Sequence, residues 1–139
     1  MQKIIIASHR KLASGLKDTL EYLAPNTVEI IDTSAYLDNV PFKLEVEKVL
    51  KQFEKTEQIF VFTDLLGGSV NQEFANKISE YNIELISGVN LPILLTLVLN
   101  MDGKEITADT IRQAIEEAKE QIVYVNDSLS NQEIDEEDE

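Results

Sequence analysis

The sequence predicts a doubly wound α/β domain: three layers, α/β/α, around a mostly parallel central sheet of four strands, with a short fifth strand near the C-terminus. Three observations lead there. Short apolar runs alternate with segments whose apolar residues recur at helical spacing, in the order βαβαβαβα with a late β. One run, Ile59-Phe60-Val61-Phe62-Thr63, is apolar throughout, as a strand covered on both faces must be. And 139 residues, 43% hydrophobic and 27% charged, suffice for one core but not for two.

Taken in order, Ile4-Ile5-Ile6-Ala7-Ser8-His9 is a strand whose apolar run stops on the only histidine in the chain. Ser14 to Leu23 follows as an amphipathic helix with Leu16, Leu20 and Leu23 on one side, stopped by Ala24-Pro25-Asn26. Val28 to Asp32 is the second strand and closes a strand-helix-strand unit of ordinary length. Thr33 to Val40 is connective, and Pro41 then suits the start of a helix carrying Phe42, Leu44, Val46, Val49, Leu50 and Phe53. The third strand, Ile59 to Thr63, ends at Asp64. Leu65-Leu66-Gly67-Gly68-Ser69 makes the turn after it, and Ser69 is placed to cap a helix from Val70 to Tyr81. Glu84 to Ser87 is the fourth strand, followed by Gly88-Val89-Asn90 and a helix over Leu91 to Leu99 that is apolar nearly all round. Gly103 marks a break, Thr107 caps a last helix through Lys119, and Ile122 to Val125 reads as the short final strand.

Composition narrows the function. Twenty-six acids against 12 bases give a formal charge of −14, which argues against nucleic acid and anionic membrane as partners. Residues 126–139 hold seven acids and no base, leaving −7 on the rest, so the expected organisation is one domain over 1–125 and a solvated, disordered acidic tail over 126–139. Zero cysteines remove disulfides, thiolate metal sites and thiol nucleophiles, and one imidazole gives zinc no ligand set, so no metal is expected. Only four apolar residues precede Ser8, too few for a signal peptide, and Leu91 to Leu99 falls far short of the ~20 residues that span a bilayer. A cytoplasmic location is expected.

If the four main strands share one sheet, the carboxyl ends of the first and third are neighbours, and His9 and Asp64 meet at the topological switch point, where open α/β sheets bind ligands. A neutral imidazole nitrogen is nucleophilic near pH 7 and its phosphoramidate is readily passed on. A carboxylate on the other ring nitrogen fixes the tautomer and supports the developing positive charge. The glycine turn Gly67-Gly68-Ser69, opening a helix, offers backbone amides to a phosphoryl group, so histidine, orienting acid and amides suffice for transfer without a cofactor. Each part also has an ordinary structural use. A lone histidine at a strand end caps or sits on the surface, Asp64 caps a turn, the glycines supply positive φ, and Asn71, Gln72 and Asn90 bond loops. Their conjunction on one sheet edge favours chemistry. Rival sites lack their marks: there is no G-x-x-x-x-G-K-[ST] or G-x-G-x-x-G, Ser8-His9 stands where a receiver domain needs paired acids, and Tyr22, Tyr36, Tyr81 and Tyr124 are too scattered to flank a flavin.

Three blocks, Ile5-Ile6-Ala7-Ser8-His9 with Leu12-Ala13-Ser14-Gly15-Leu16, then Phe62-Thr63-Asp64-Leu65-Leu66-Gly67-Gly68-Ser69, then Ile86-Ser87-Gly88-Val89-Asn90-Leu91-Pro92, resemble the mannose-family phosphotransferase-system IIA component. The resemblance runs from about Lys3 to Val125 and rests on all three blocks in order. It implies that His9 accepts a phosphoryl group from phospho-HPr on Nε2 and passes it to the IIB component (EIIB) for sugar uptake. Asp64 would bond Nδ1, and Gly67, Gly68 and Ser69 would bind phosphate. It further implies an indirect link to the membrane EIIC/EIID complex, and a homodimer in which the last strand is exchanged, using Ile122 to Val125. The same fold would also suit a regulatory phosphohistidine module or the phosphoryl-donor subunit of a dihydroxyacetone kinase. Two positions depart from the family pattern: Arg10 stands where glycine is usual, and Val70 where Gly-Gly-Ser is usually followed by proline.

Overall fold

The computed structural model describes residues 2–37 and 39–130. Nine elements are laid down in the order β1 (Lys3–His9), α1 (Leu12–Leu23), β2 (Glu29–Ala35), α2 (Phe42–Leu50), β3 (Ile59–Thr63), α3 (Ser69–Ala75), β4 (Ile83–Ile86), α4 (Leu91–Leu99) and α5 (Ala108–Lys119), and residues 125–130 form a further helical turn and a half. The four strands make one parallel sheet in the order β2-β1-β3-β4.

Side chains alternate across a strand, so each run of isoleucines feeds two cores. Ile4 and Ile6 of β1, with Ile30, Phe60, Phe62 and Ile86, pack under α1, α4 and α5. Ile5 and Ala7, with Ala35, Ile59, Val61 and Ile83, pack under α2 and α3. Every residue of β3 is buried, as its unbroken apolar run requires. The chain therefore crosses from β1 to one side for β2 and returns past it for β3. That reversal puts the switch point between the ends of β1 and β3.

Several boundaries follow local chemistry. Asn90 caps α4 by accepting the Ile93 amide at 2.9 Å, and Thr107 caps α5 by accepting the Thr110 amide at 3.2 Å. At α1 the capping position is Lys11, which has no capping side chain. Buried Ser8 does the work instead: its Oγ accepts the Ala13 amide at 2.7 Å. β2 runs three residues beyond the expected Asp32, because pairing with β1 continues to His9 opposite Ala35. α2 stops at Leu50 and α3 at Ala75, short of the expected Phe53 and Tyr81. In both places the chain tightens into i→i+3 turns, such as Phe53 N–H to Leu50 at 3.1 Å and Lys77 N–H to Phe74 at 3.0 Å. Phe53 stays buried all the same.

Two expectations are corrected. Ser69 is the first helical residue of α3 and not its cap; Gly68 holds the cap position in extended geometry with no side chain to bond the first turn, and the Ser69 hydroxyl lies 2.6 Å from that of Tyr36. The fifth strand at Ile122 to Val125 is absent from the sheet: residues 122–124 carry no regular structure and a helix begins at 125. A strand needs a neighbour for its amides. Among the described residues the segment finds none, and the following backbone bonds locally, with Asp127 N–H to Tyr124 at 3.1 Å. Ile122, Val123, Tyr124 and Val125 are left exposed. The expected tail over 126–139 thus begins in helix, and residues 131–139 lie outside the described residues.

Candidate functional site at the switch point

His9 ends β1 and Asp64 follows β3 directly, so the parallel pairing of those two strands delivers both side chains to one edge. Asp64 Oδ2 lies 2.8 Å from His9 Nδ1 and also accepts the His9 backbone amide at 2.8 Å. Its Oδ1 accepts the Leu65 amide at 3.0 Å. Burial pushes the Asp64 carboxyl up, but the His9 amide, the His9 ring, its charge and the Leu65 amide together outweigh that and hold it below its ordinary value. An ionised carboxylate only accepts. In the neutral ring this contact places the proton on Nδ1 and leaves the lone pair on Nε2. The side chain of Asp64 is 10% exposed and that of His9 is 36% exposed, so the acid is enclosed while the imidazole faces solvent.

The loop after β3 completes one side. Gly67 takes φ of +73°, a left-handed geometry that suits glycine. Gly68 lies against the ring: a Cβ there would stand 3.6 Å from His9 Cε1 and 3.4 Å from both Leu65 Cβ and the Leu65 carbonyl oxygen. The expectation that this turn would offer all its amides is revised for Gly68, whose N–H bonds the Leu65 carbonyl at 3.2 Å. The amides of Gly67 and Ser69 meet no acceptor among the described residues. Ser69 Oγ stands 3.5 Å from His9 Nε2. Of the other polar residues, Asn71 is buried and accepts the Thr63 hydroxyl at 2.8 Å, Asn90 is the α4 cap, and Gln72 is exposed on α3.

One residue of the site escaped the sequence reading. Tyr36, immediately after β2, stacks on the imidazole with ring centroids 5.4 Å apart and planes 24° from parallel, and its hydroxyl lies 2.6 Å from Ser69 Oγ. The signal was the length of β2; a strand ending at Asp32 leaves Tyr36 in a loop, whereas the register His9 opposite Ala35 makes it the next residue alongside. Arg10, in the left-handed region at φ +49°, sends its guanidinium to the Tyr36 carbonyl at 3.4 Å.

No enclosed pocket is needed at such a site. A cleft of about 620 Å³ opens at the opposite end of the strands, lined by Lys3, Gln58, Asn82 and Asp102. Among the described residues no cluster of three or more His, Cys, Asp or Glu side chains could hold a metal ion, and no helix is long and apolar enough to cross a membrane.

A solvent-facing imidazole, a carboxylate on its Nδ1 and the amides of Gly67 and Ser69 thus lie together on the rim of a doubly wound sheet. Comparison gives the family. The model of the mannose-type EIIA family, described as the PTS system fructose IIA component, matches residues 3–116. A Klebsiella pneumoniae structure, described as a phosphoenolpyruvate-dependent sugar phosphotransferase system permease, shares 32% identity over 93% of this chain and 95% of its own, with a TM-score of 0.83. The phosphotransferase system component EIIA from Streptococcus agalactiae shares 28% identity over 91% of this chain and 98% of its own, with a TM-score of 0.72. The mannose/sorbose specific IIA subunit from Enterococcus faecalis shares the fold alone, at 15% identity over 88% and 92% with a TM-score of 0.72. No curated protein matches the chain.

The chain is thus a component of a sugar phosphotransferase system, a phosphotransferase in general terms. It belongs to the mannose-type EIIA family.

Proposed function

We propose that this chain is a cytoplasmic phosphocarrier in which His9 takes a phosphoryl group from phospho-HPr on Nε2 and hands it to an EIIB component, serving the membrane EIIC/EIID complex indirectly. The observation that carries this reading is the 2.8 Å contact between His9 Nδ1 and Asp64, with Nε2 on the solvent side. On loading, the Nε2 lone pair forms a bond to phosphorus as the phospho-HPr P–N bond breaks, its electron pair returning to the donor nitrogen; on delivery the acceptor's lone pair bonds phosphorus as the Nε2–P bond breaks, its pair returning to Nε2. The Nδ1 proton stays on the ring, and Asp64 balances the charge that the imidazole gains. The Gly67 and Ser69 amides and the Ser69 hydroxyl are the donors available to the phosphoryl oxygens; Gly68, lacking a Cβ, lets the loop lie against the ring.

The same reading includes a homodimer in which the segment Ile122 to Val125 of each copy pairs with the other. Supporting it are four consecutive exposed residues of high β-propensity and a groove of about 340 Å³ beside the β4 edge, lined by Leu85, Ile86, Ile93, Ile115, Ala118 and Ile122.

The deciding experiment incubates the protein with enzyme I, HPr and labelled phosphoenolpyruvate, then adds candidate acceptors. Label on wild type, none on His9→Ala, and passage to an EIIB component are expected. Label that moves only to a dihydroxyacetone kinase subunit, or that leaves for no acceptor, replaces this reading with the kinase-donor or regulatory one. No label on His9 overturns all three.

A further inference from the structure

Because β1 and β2 run parallel with His9 opposite Ala35, the residues that leave the two strands side by side are Arg10 and Tyr36. Both are left-handed, at φ +49° and +65°, and the Arg10 amide is tied to the Ala35 carbonyl at 2.8 Å. Left-handed backbone is unfavourable for any residue with a Cβ and is rare for a bulky one, so a tyrosine held there needs compensation from its surroundings. The two hydrophobic cores do not supply it: Tyr36 belongs to neither and is 56% exposed. What the geometry achieves is to set the phenol ring on the imidazole and its hydroxyl on Ser69.

The proton directions in this group follow from one another. In the neutral ring with Nδ1–H on Asp64, Nε2 can only accept, and the Ser69 hydroxyl 3.5 Å away is placed to donate to it. With its proton aimed at Nε2, the Ser69 oxygen is an acceptor for the Tyr36 hydroxyl at 2.6 Å. With Ser69 turned to Nε2, the hydroxyls line up from Tyr36 through Ser69 to that nitrogen.

We propose that Tyr36 is a positioning residue of this site: its ring holds the plane of the imidazole, and its hydroxyl aims that of Ser69 at Nε2, so that both donors stand ready for the phosphoryl oxygens and shield the phosphohistidine from water. The proposal rests on His9 being the phosphoacceptor. On transfer the N–P bond forms at Nε2 as the donor's P–N bond breaks, with its electrons staying on the donor. No proton leaves His9, and the two hydroxyls turn from Nε2 and from each other to the new oxygens.

The test compares wild type with Tyr36→Phe, which keeps the ring and loses the hydroxyl, and with Tyr36→Ala, which loses both. Each is loaded through HPr with label, and three quantities are read: kcat and KM for phospho-HPr separately, the lifetime of phospho-His9 without acceptor, and the imidazole nitrogen NMR shifts of the unphosphorylated protein. One neutral hydrogen bond is lost in Tyr36→Phe, so roughly a 2- to 10-fold fall in kcat and in lifetime is expected with KM unchanged, together with a moved Nε2 signal. In Tyr36→Ala the losses deepen. Wild-type kcat and lifetime in both variants, or a loss confined to KM, overturn the positioning role and leave Tyr36 as a docking contact. Absence of label on wild-type His9 overturns the phosphocarrier reading itself, a distinguishable failure.

Discussion

At the scale of single residues, the proposed transfer depends on a proton held in one place. Asp64 accepts from both the amide and the ring of His9, and an amide side chain at that position no longer demands the Nδ1–H tautomer. Asp64→Asn is therefore expected to keep the fold and to slow phosphorylation on the order of 100-fold in the labelling assay. The same contacts make Asp64 a source of pH dependence. Its folded value lies below the ordinary one, so its stabilisation is complete above about pH 4 and is lost as pH falls through the depressed value. Acid unfolding followed by circular dichroism should show wild type and Asp64→Asn separated by a constant margin at neutral pH, a margin that narrows below about pH 4. Arg10 illustrates the opposite situation. It holds φ +49° where the family pattern has glycine, so Arg10→Gly is expected to raise stability by about 0.5–1 kcal/mol, net of the entropy that glycine gains in the unfolded chain. A higher urea midpoint at unchanged slope is the measurement. The strain at Arg10 was half legible: the substitution for glycine is visible in the sequence, the angle is not.

Among the elements, agreement was closest where the sequence carries its own punctuation. β3 is bounded at Ile59 and Thr63 as read, because its apolar run has clean ends; α4 and α5 start after Asn90 and Thr107, whose side chains do cap them. Disagreement appears where an end is set by a neighbour. β2 continues to Ala35 because β1 is beside it, and the cap of α1 is Ser8, five residues before the amide it serves, because β1 brings its hydroxyl back over the turn. Ser8→Ala strands the buried Ala13 amide, so a loss of about 1–2 kcal/mol is expected in thermal or urea unfolding. Failure to see any loss would mean that another acceptor takes the Ala13 N–H. Ser69 is the reverse case. Its type and position fit a helix cap, yet its hydroxyl points to Tyr36 and His9, two partners 33 and 60 residues away.

For the whole molecule, the sheet order does what no segment does alone. Placing β1 between β2 and β3 gathers His9, Tyr36 and the loop after Asp64 from three separate stretches onto one edge. Burial on both faces makes that edge rigid, since Phe60, Phe62 and the isoleucines of β1 are nearly inaccessible. The C-terminal segment shows the complementary limit. Ile122 to Val125 has a strand's composition and, among the described residues, no strand's partner; residues from 125 coil into helix with the apolar side chains exposed. In the proposed dimer a second copy supplies the missing neighbour. Sedimentation of the intact chain should then give twice the mass of one chain, and deletion of residues 122–139 should give a monomer with His9 and Asp64 still in contact; a monomeric intact chain would end the exchange proposal.

The sequence by itself determined the layer architecture, the alternation that feeds two cores, and the meeting of His9 with Asp64, since these follow from hydrophobic period and from the rule that parallel strands present their carboxyl ends together. Only the tertiary structure decided that Tyr36 covers the imidazole, that the Ser69 hydroxyl meets Tyr36 and does not cap α3, and that the final apolar segment finds no strand partner among the described residues. Local pattern reports the conformation a segment favours; hydrogen bonds between residues far apart in the chain depend on which strands lie side by side, and that is settled only when the whole sheet forms.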